Sequence, residues 1–124
     1  MMNVVDSSGW LEYFADGPNA SSFAPIITDL EHLIVPVISI YEVFKRVFQQ
    51  RSETEALEAV AIMNQGQVIA LNQILALNAA RLSVDLKLPM ADGLILATAQ
   101  AYEAVLWTQD ADFKAVAGVQ YIKK

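Results

Sequence analysis

Short apolar runs alternate along this chain with longer stretches of helical periodicity. Val4-Val5 is a short strand, Asp6-Ser7-Ser8 follows it, and Gly9-Trp10-Leu11-Glu12-Tyr13-Phe14 predicts a helix closed by Asp16-Gly17-Pro18. Asn19 through Glu31 predicts a second helix, whose regularity Pro25 limits. Leu33 to Ile38 is the next strand, and Ser39 then caps an amphipathic helix with Tyr41, Val43, Phe44, Val47 and Phe48 as its apolar positions. Ser52 starts a helix through Met63, and Gln67 to Leu71 is a third strand. A helix runs from about Asn72 to Leu86, and Leu88-Pro89 opens another to about Glu103. Ala104 to Thr108 is a fourth strand, Asp112 to Ala117 a short helix or turn, and Val119 to Ile122 a fifth strand. Strands alternating with helices predict an α/β fold whose parallel sheet is covered on both faces.

Composition narrows the chemistry. With 124 residues, 55% of them hydrophobic, the chain is expected to form one domain with a sizeable core. It has no cysteine, which excludes disulfides, thiolate zinc sites and thiol nucleophiles. The one histidine, His32, sits at a helix-to-strand junction, where it reads as a solvent-facing cap and not as part of a Ser/His/Asp arrangement. The start, Met1-Met2-Asn3-Val4-Val5-Asp6, lacks the basic residues and long apolar stretch of a signal peptide, so a cytoplasmic location is expected. The longest uncharged stretch, Ala59 to Ala80, is broken by Asn64-Gln65-Gly66-Gln67 and by Asn72-Gln73, which argues against a membrane span. A net charge of −6 argues against holding nucleic acid through a broad basic surface. It weighs less against a metal-dependent nuclease, because bound divalent cations place positive charge where a phosphate would sit.

Four acids, Asp6, Glu42, Asp92 and Asp110, each stand where an apolar run gives way to a helix start or turn. Each has a structural explanation. Ser39-Ile40-Tyr41-Glu42 has the form of a capping box, Asp6 can cap the helix beginning near Ser8, Asp92 lies in a first helical turn after Pro89, and Asp110 can initiate the turn at Ala111-Asp112-Phe113. Three of them, Asp6, Glu42 and Asp110, come within four residues of the C-terminal end of a different predicted strand. In a parallel sheet those ends share one edge, where α/β proteins place their ligands. Asp92 has no strand before it and must reach that edge from the start of a helix. Carboxylate oxygens suit hard cations, and a metal pair can activate water, hold a phosphate in line and stabilise a leaving oxygen without any histidine.

Around those residues the chain resembles the PIN-domain nucleases, and especially the VapC-type toxins of bacterial toxin–antitoxin pairs. The matching segments are Val4-Val5-Asp6-Ser7-Ser8, Ile38-Ser39-Ile40-Tyr41-Glu42-Val43, Leu88-Pro89-Met90-Ala91-Asp92-Gly93 with the Ala-rich run to Ala99, and Leu106-Trp107-Thr108-Gln109-Asp110-Ala111-Asp112-Phe113. They cover the chain nearly end to end. The resemblance implies a three-layer α/β/α fold with a central parallel five-stranded sheet of order 3-2-1-4-5. It also implies a Mg²⁺- or Mn²⁺-dependent endoribonuclease site, an RNA substrate, a cognate antitoxin and a homodimer. By the family's motifs, Asp6, Glu42, Asp92 and Asp110 fall on the metal-binding acids, with Asp112 a fifth candidate that shares its role with Asp110. Ser8 falls on the small hydroxyl after the first acid and Thr108 on the hydroxyl before the last.

Lys45 and Arg46 lie three and four residues beyond Glu42 on one helix. Either can contact a phosphate at the site, and either can serve as a surface ion-pair partner of Glu42, the reading that helical spacing favours. Trp10, Tyr13, Phe14, Tyr41, Phe44 and Phe48 can stack on bases, although their helical spacing favours packing for most of them. Two other readings stand beside the nuclease. A receiver-like signalling domain would need an acid at the end of its central third strand, where this chain has Leu71-Asn72-Gln73. A PIN-fold module without activity would be expected to have lost one of the acids.

Overall fold

The computed structural model describes residues 1–124. The chain runs β1 (Asn3–Val5), α1 (Ser7–Phe14), α2 (Ala20–Thr28), a 3-10 turn (Leu30–His32), β2 (Leu33–Pro36), α3 (Val37–Gln50), α4 (Glu53–Met63), β3 (Gln67–Ile69), α5 (Gln73–Leu86), α6 (Met90–Ala101), β4 (Val105–Thr108), a second 3-10 turn (Ala111–Phe113) and β5 (Val119–Tyr121). All strand pairs are parallel, and the order across the sheet is β3-β2-β1-β4-β5. β1 is therefore central, flanked by β2 and β4. This order excludes the receiver-like reading, whose third strand takes the centre.

Alternation along the strands sends neighbouring residues into different cores. Val5, Leu33 and Val35 pack with Trp10, Phe23, Ile27, Val43, Ala59 and Met63 from α1, α2, α3 and α4. Val4, Ile34 and Leu106 face the other way, against Leu88, Ile95, Leu96, Ala99 and Phe113. Strands buried on both faces need continuous apolar runs, which is why Val4-Val5 and Leu33-Ile34-Val35 contain no polar residue. No helix is long and apolar enough to cross a membrane.

Helix starts follow side-chain capping at several places. Ser52 Oγ accepts from the Glu55 amide at 3.1 Å and Asn72 Oδ1 from the Leu75 amide at 2.9 Å, opening α4 and α5 where the sequence places them. The start of α3 differs from expectation. The strand stops at Pro36, which takes the N-cap position with φ −62 and ψ 136, and Val37 and Ile38 already belong to the helix. Their β-branched side chains read as strand, but proline's fixed φ and missing N–H suit a helix entrance. Ser39 thus lies inside the first turn, fully buried and with its hydroxyl unpartnered, so the Ser39–Glu42 capping box does not form. The apolar face of α3 also differs: Val43 is buried, whereas Tyr41 is 59% and Phe48 49% exposed.

Two close approaches fix the helices that carry the acids. A Cβ at Gly9 would stand 2.6 Å from Val5 Cγ1 and 2.8 Å from the Phe23 ring, so glycine lets α1 lie against β1. A Cβ at Gly93 would stand 2.9 Å from the Ala79 carbonyl oxygen. That contact holds the start of α6 against α5.

Candidate metal centre

The acids arrive at one edge of the sheet from separate elements. Asp6 follows β1, Glu42 lies in the second turn of α3, Asp92 in the first turn of α6, and Asp110 and Asp112 follow β4. Asp92, Asp110 and Asp112 each offer a carboxylate oxygen within 4.8 Å of the others. Oxygens at that spacing match the coordination shell of a hard cation, whose bonds to oxygen run about 2.0 to 2.6 Å, and no softer donor is present. The donor set therefore fits a hard divalent cation.

Asp6 is held differently. It is 2% exposed, and its Oδ1 accepts from Ser8 Oγ at 2.7 Å and from the Gly9 amide at 3.0 Å. Its Oδ2 accepts from Thr108 Oγ1 at 2.6 Å. Thr108 Oγ1 in turn accepts from the Asp110 amide at 2.9 Å, so one hydroxyl links the first acid to the loop carrying the last two. Asp6 also caps α1, and Asp110 Oδ1 accepts from the Asp112 amide at 2.9 Å. Capping and clustering coexist in Asp110, whereas Asp6 caps from outside the triad.

Electrostatics mark the cluster. Burial pushes the Asp6 carboxyl up from 3.8 to about 6, against the lowering effect of Thr108, Gly9 and Ser8 and with a further push from Asp110. Asp92 is pushed up to about 7, first by burial and then by the charges of Asp110, Asp6, Asp112 and Glu42. All four of the other acids thus bear on Asp92. The only ion pair in the chain, His32 with Asp29 at 3.0 Å, involves none of them.

Glu42 Oε1 accepts from Ser7 Oγ at 2.6 Å. The expected ion pairing of Lys45 or Arg46 with Glu42 does not occur; the partner of Glu42 is the Ser7 hydroxyl. Lys45 and Arg46 line a cavity beside Glu42 instead. Ser7, Asn19 and Gln109 are supporting residues that the sequence did not single out. Asn19 begins α2 without capping it; its Nδ2 donates to Gln109 Oε1 at 3.0 Å and to the Lys123 carbonyl at 3.2 Å. Gln109 stands between Thr108 and Asp110, so Asn19 braces the loop of the last acids. Only the Asp6-Ser7-Ser8 run carried a signal for any of these contacts; the partners of Asn19 are too distant in sequence to be read.

A family model, the PIN domain, matches residues 4–119. The chain belongs to the PIN-domain family. No curated protein sequence matches it. Among solved structures, this PIN domain is similar to a toxin–antitoxin complex from Klebsiella pneumoniae, at 22% identity and TM-score 0.80, over 98% of this chain and 99% of that one. It is similar to the DNA-bound VapBC of Salmonella typhimurium at 14% identity and TM-score 0.76, over 99% of this chain and 98% of that one. VapC20 of Mycobacterium tuberculosis, described as a sarcin–ricin loop cleaving toxin, aligns at 16% identity and TM-score 0.76, over 98% of this chain and 97% of that one. The PIN domain here thus has a VapC-like toxin fold with a clustered acidic triad at its sheet edge.

Proposed function

We propose that this chain is a metal-dependent endoribonuclease and the toxin of a toxin–antitoxin pair. The observation that carries this reading is the convergence of Asp110, Asp6, Asp112 and Glu42 on Asp92 with no cationic side chain paired to any of them. Such a concentration of negative charge is costly unless a cation lies within it. PIN domains are typically metal-dependent nucleases, and the similarity to VapC toxins supports both an RNA substrate and a protein antitoxin.

Asp92, Asp110 and Asp112 would hold Mg²⁺ or Mn²⁺, with Asp6 and Glu42 completing the acidic surround. When bound, the cation supplies positive charge that offsets the carboxylates, meets the scissile phosphate and favours ionisation of water. The chain's own groups do the rest. Thr108 and Ser8 hold both oxygens of Asp6, and Ser7 holds one oxygen of Glu42 and leaves the other free to accept a proton from the attacking water. The water oxygen bonds to phosphorus as its proton passes to Glu42, the bond to the leaving ribose oxygen breaks, and that oxygen takes up a proton from solvent, to which Glu42 returns its own.

Purified protein should cut single-stranded or looped RNA in Mg²⁺ or Mn²⁺ and stop in EDTA. Expression of the wild type should slow bacterial growth, and Asp92→Asn should relieve it. Cleavage that persists in chelator, or equal toxicity of the variant, would overturn the reading.

A further inference from the structure

A cavity of about 290 Å³ opens beside Glu42, lined among others by Ser7, Tyr41, Lys45, Arg46 and Gln49. Its contents are unusual for an acidic chain. Tyr41 is a large aromatic left 59% exposed on a helix whose Val43 is fully buried. Lys45 Nζ stands 5.8 Å from the centroid of the Tyr41 ring, on one face of it. Neither Lys45 nor Arg46 forms an ion pair, although Glu42 is only three and four residues away and accepts from Ser7 through one oxygen alone. Two cations outside any ion pair and a largely exposed aromatic ring therefore stand next to one of the acids of the proposed cleavage site.

That combination matches one nucleotide of a single strand. A base stacks on an aromatic face, a phosphate is held by a lysine and an arginine, and both are available together only where the base is unpaired. The chain's other large cavity, about 680 Å³, is lined by Glu12, Glu55 and Glu58 as well as by Arg46, Arg51 and Lys124, so it lacks this bias. The smaller cavity has Glu42 as its one acid.

We infer that the cavity is the nucleotide subsite flanking the scissile phosphate, in which Tyr41 stacks the base of an unpaired ribonucleotide and Lys45 and Arg46 hold its phosphate. The inference rests on the nuclease reading and adds to it the residues that select single-stranded RNA. Tyr41 is then a binding residue, and its loss should act on affinity and not on the chemical step.

The test measures binding of a short fluorescein-labelled single-stranded RNA of mixed sequence, in Ca²⁺, by anisotropy, and KM and kcat for the same RNA in Mn²⁺. Tyr41→Leu keeps an apolar side chain but removes the ring, and should weaken binding and raise KM about 5- to 100-fold with kcat little changed. Lys45→Gln and Arg46→Gln should each reduce the slope of log affinity against log salt by about 0.7. The melting shift on adding Mn²⁺ should be the same in all three variants as in the wild type. Wild-type cleavage or RNA binding that Tyr41→Leu leaves untouched would overturn the subsite while sparing the nuclease reading. Weakened capture of a co-expressed protein partner with unchanged RNA affinity would assign the cavity to that protein and overturn it equally. If the wild type cuts nothing, the nuclease reading fails, and the anisotropy arm still decides whether the cavity holds a single strand.

Discussion

Around Asp6 both carboxylate oxygens are occupied: Oδ1 accepts from Ser8 and Gly9, and Oδ2 from Thr108. Around Asp92 no hydrogen-bond donor approaches, and the neighbours that count are carboxylates. Both side chains have raised pKa values and both stand at the same sheet edge. The causes differ. Asp6 is raised by burial, and its neutral hydrogen-bond donors offset only part of that cost. Asp92 is raised by burial and by four like charges, so it is balanced only by a proton or by a cation. The first acid is a structural anchor, and the second is where, on the proposed reading, a metal would take the place of a proton.

The largest separation between them should appear in asparagine variants. Asp92→Asn is expected to lower cleavage about 10²- to 10³-fold or more. It should also raise the melting temperature of the metal-free protein and shrink the increase that Mn²⁺ gives the wild type. Asp6→Asn should also lower cleavage, but it should lower the metal-free melting temperature, because an amide cannot accept on both sides; the loss is about 1 to 3 kcal/mol. Melting curves with and without Mn²⁺ check this, and shifts of the same sign in the two metal-free variants would erase the distinction.

A smaller effect lies in pH. A carboxyl whose folded pKa exceeds its unfolded value binds more protons folded than unfolded between the two, so stability falls as pH rises through that window. For Asp6 the window runs from 3.8 to about 6, and for Asp92 from 3.8 to about 7. Metal-free protein is therefore expected to lose stability as pH rises from about 4 to about 7 through these two groups, and saturating Mn²⁺ should reduce that loss. Asp92→Asn should flatten the part of the curve above the Asp6 value. Denaturant melts across this range in chelator would show it, and a stability that rises steadily with pH in both proteins would contradict it.

The smallest expected change tests whether anchoring extends beyond Asp6. Ser7→Ala removes the hydroxyl that holds Glu42 Oε1 and should lower kcat about 2- to 10-fold, the worth of one hydrogen bond, with the fold and the Mn²⁺ shift retained. Kinetics on the variant give the answer directly, and an unchanged kcat would confine the anchoring role to Asp6.

Much of this arrangement is legible in the chain because parallel strands are short apolar runs and their C-terminal ends collect on one edge. The strands and the helices at Ser52 and Asn72 follow from that pattern and from local caps, whereas the strand order is legible only through the resemblance to PIN domains. Val37 and Ile38 read as strand because β-branching signals it, whereas Pro36 already turns the chain into α3. Helical spacing says that Tyr41 and Phe48 share an apolar face but not what covers it, and neither belongs to the core of this chain. Ser7 with Glu42, and Asn19 with Gln109, join residues 35 and 90 positions apart, and no local pattern announces such pairs.

The link between Asp6 and Thr108 has a temporal meaning as well, for it joins residues 102 positions apart. A ribosome adding about 5 to 20 residues per second needs roughly 5 to 20 s to travel between them. Until β4 emerges, β1 lacks one of its two neighbours, and Asp110 and Asp112 do not yet exist. The nascent chain is thus born without its acidic centre, and the proposed cleavage of RNA would spare the message and the ribosome producing it until nearly all of the chain has been made.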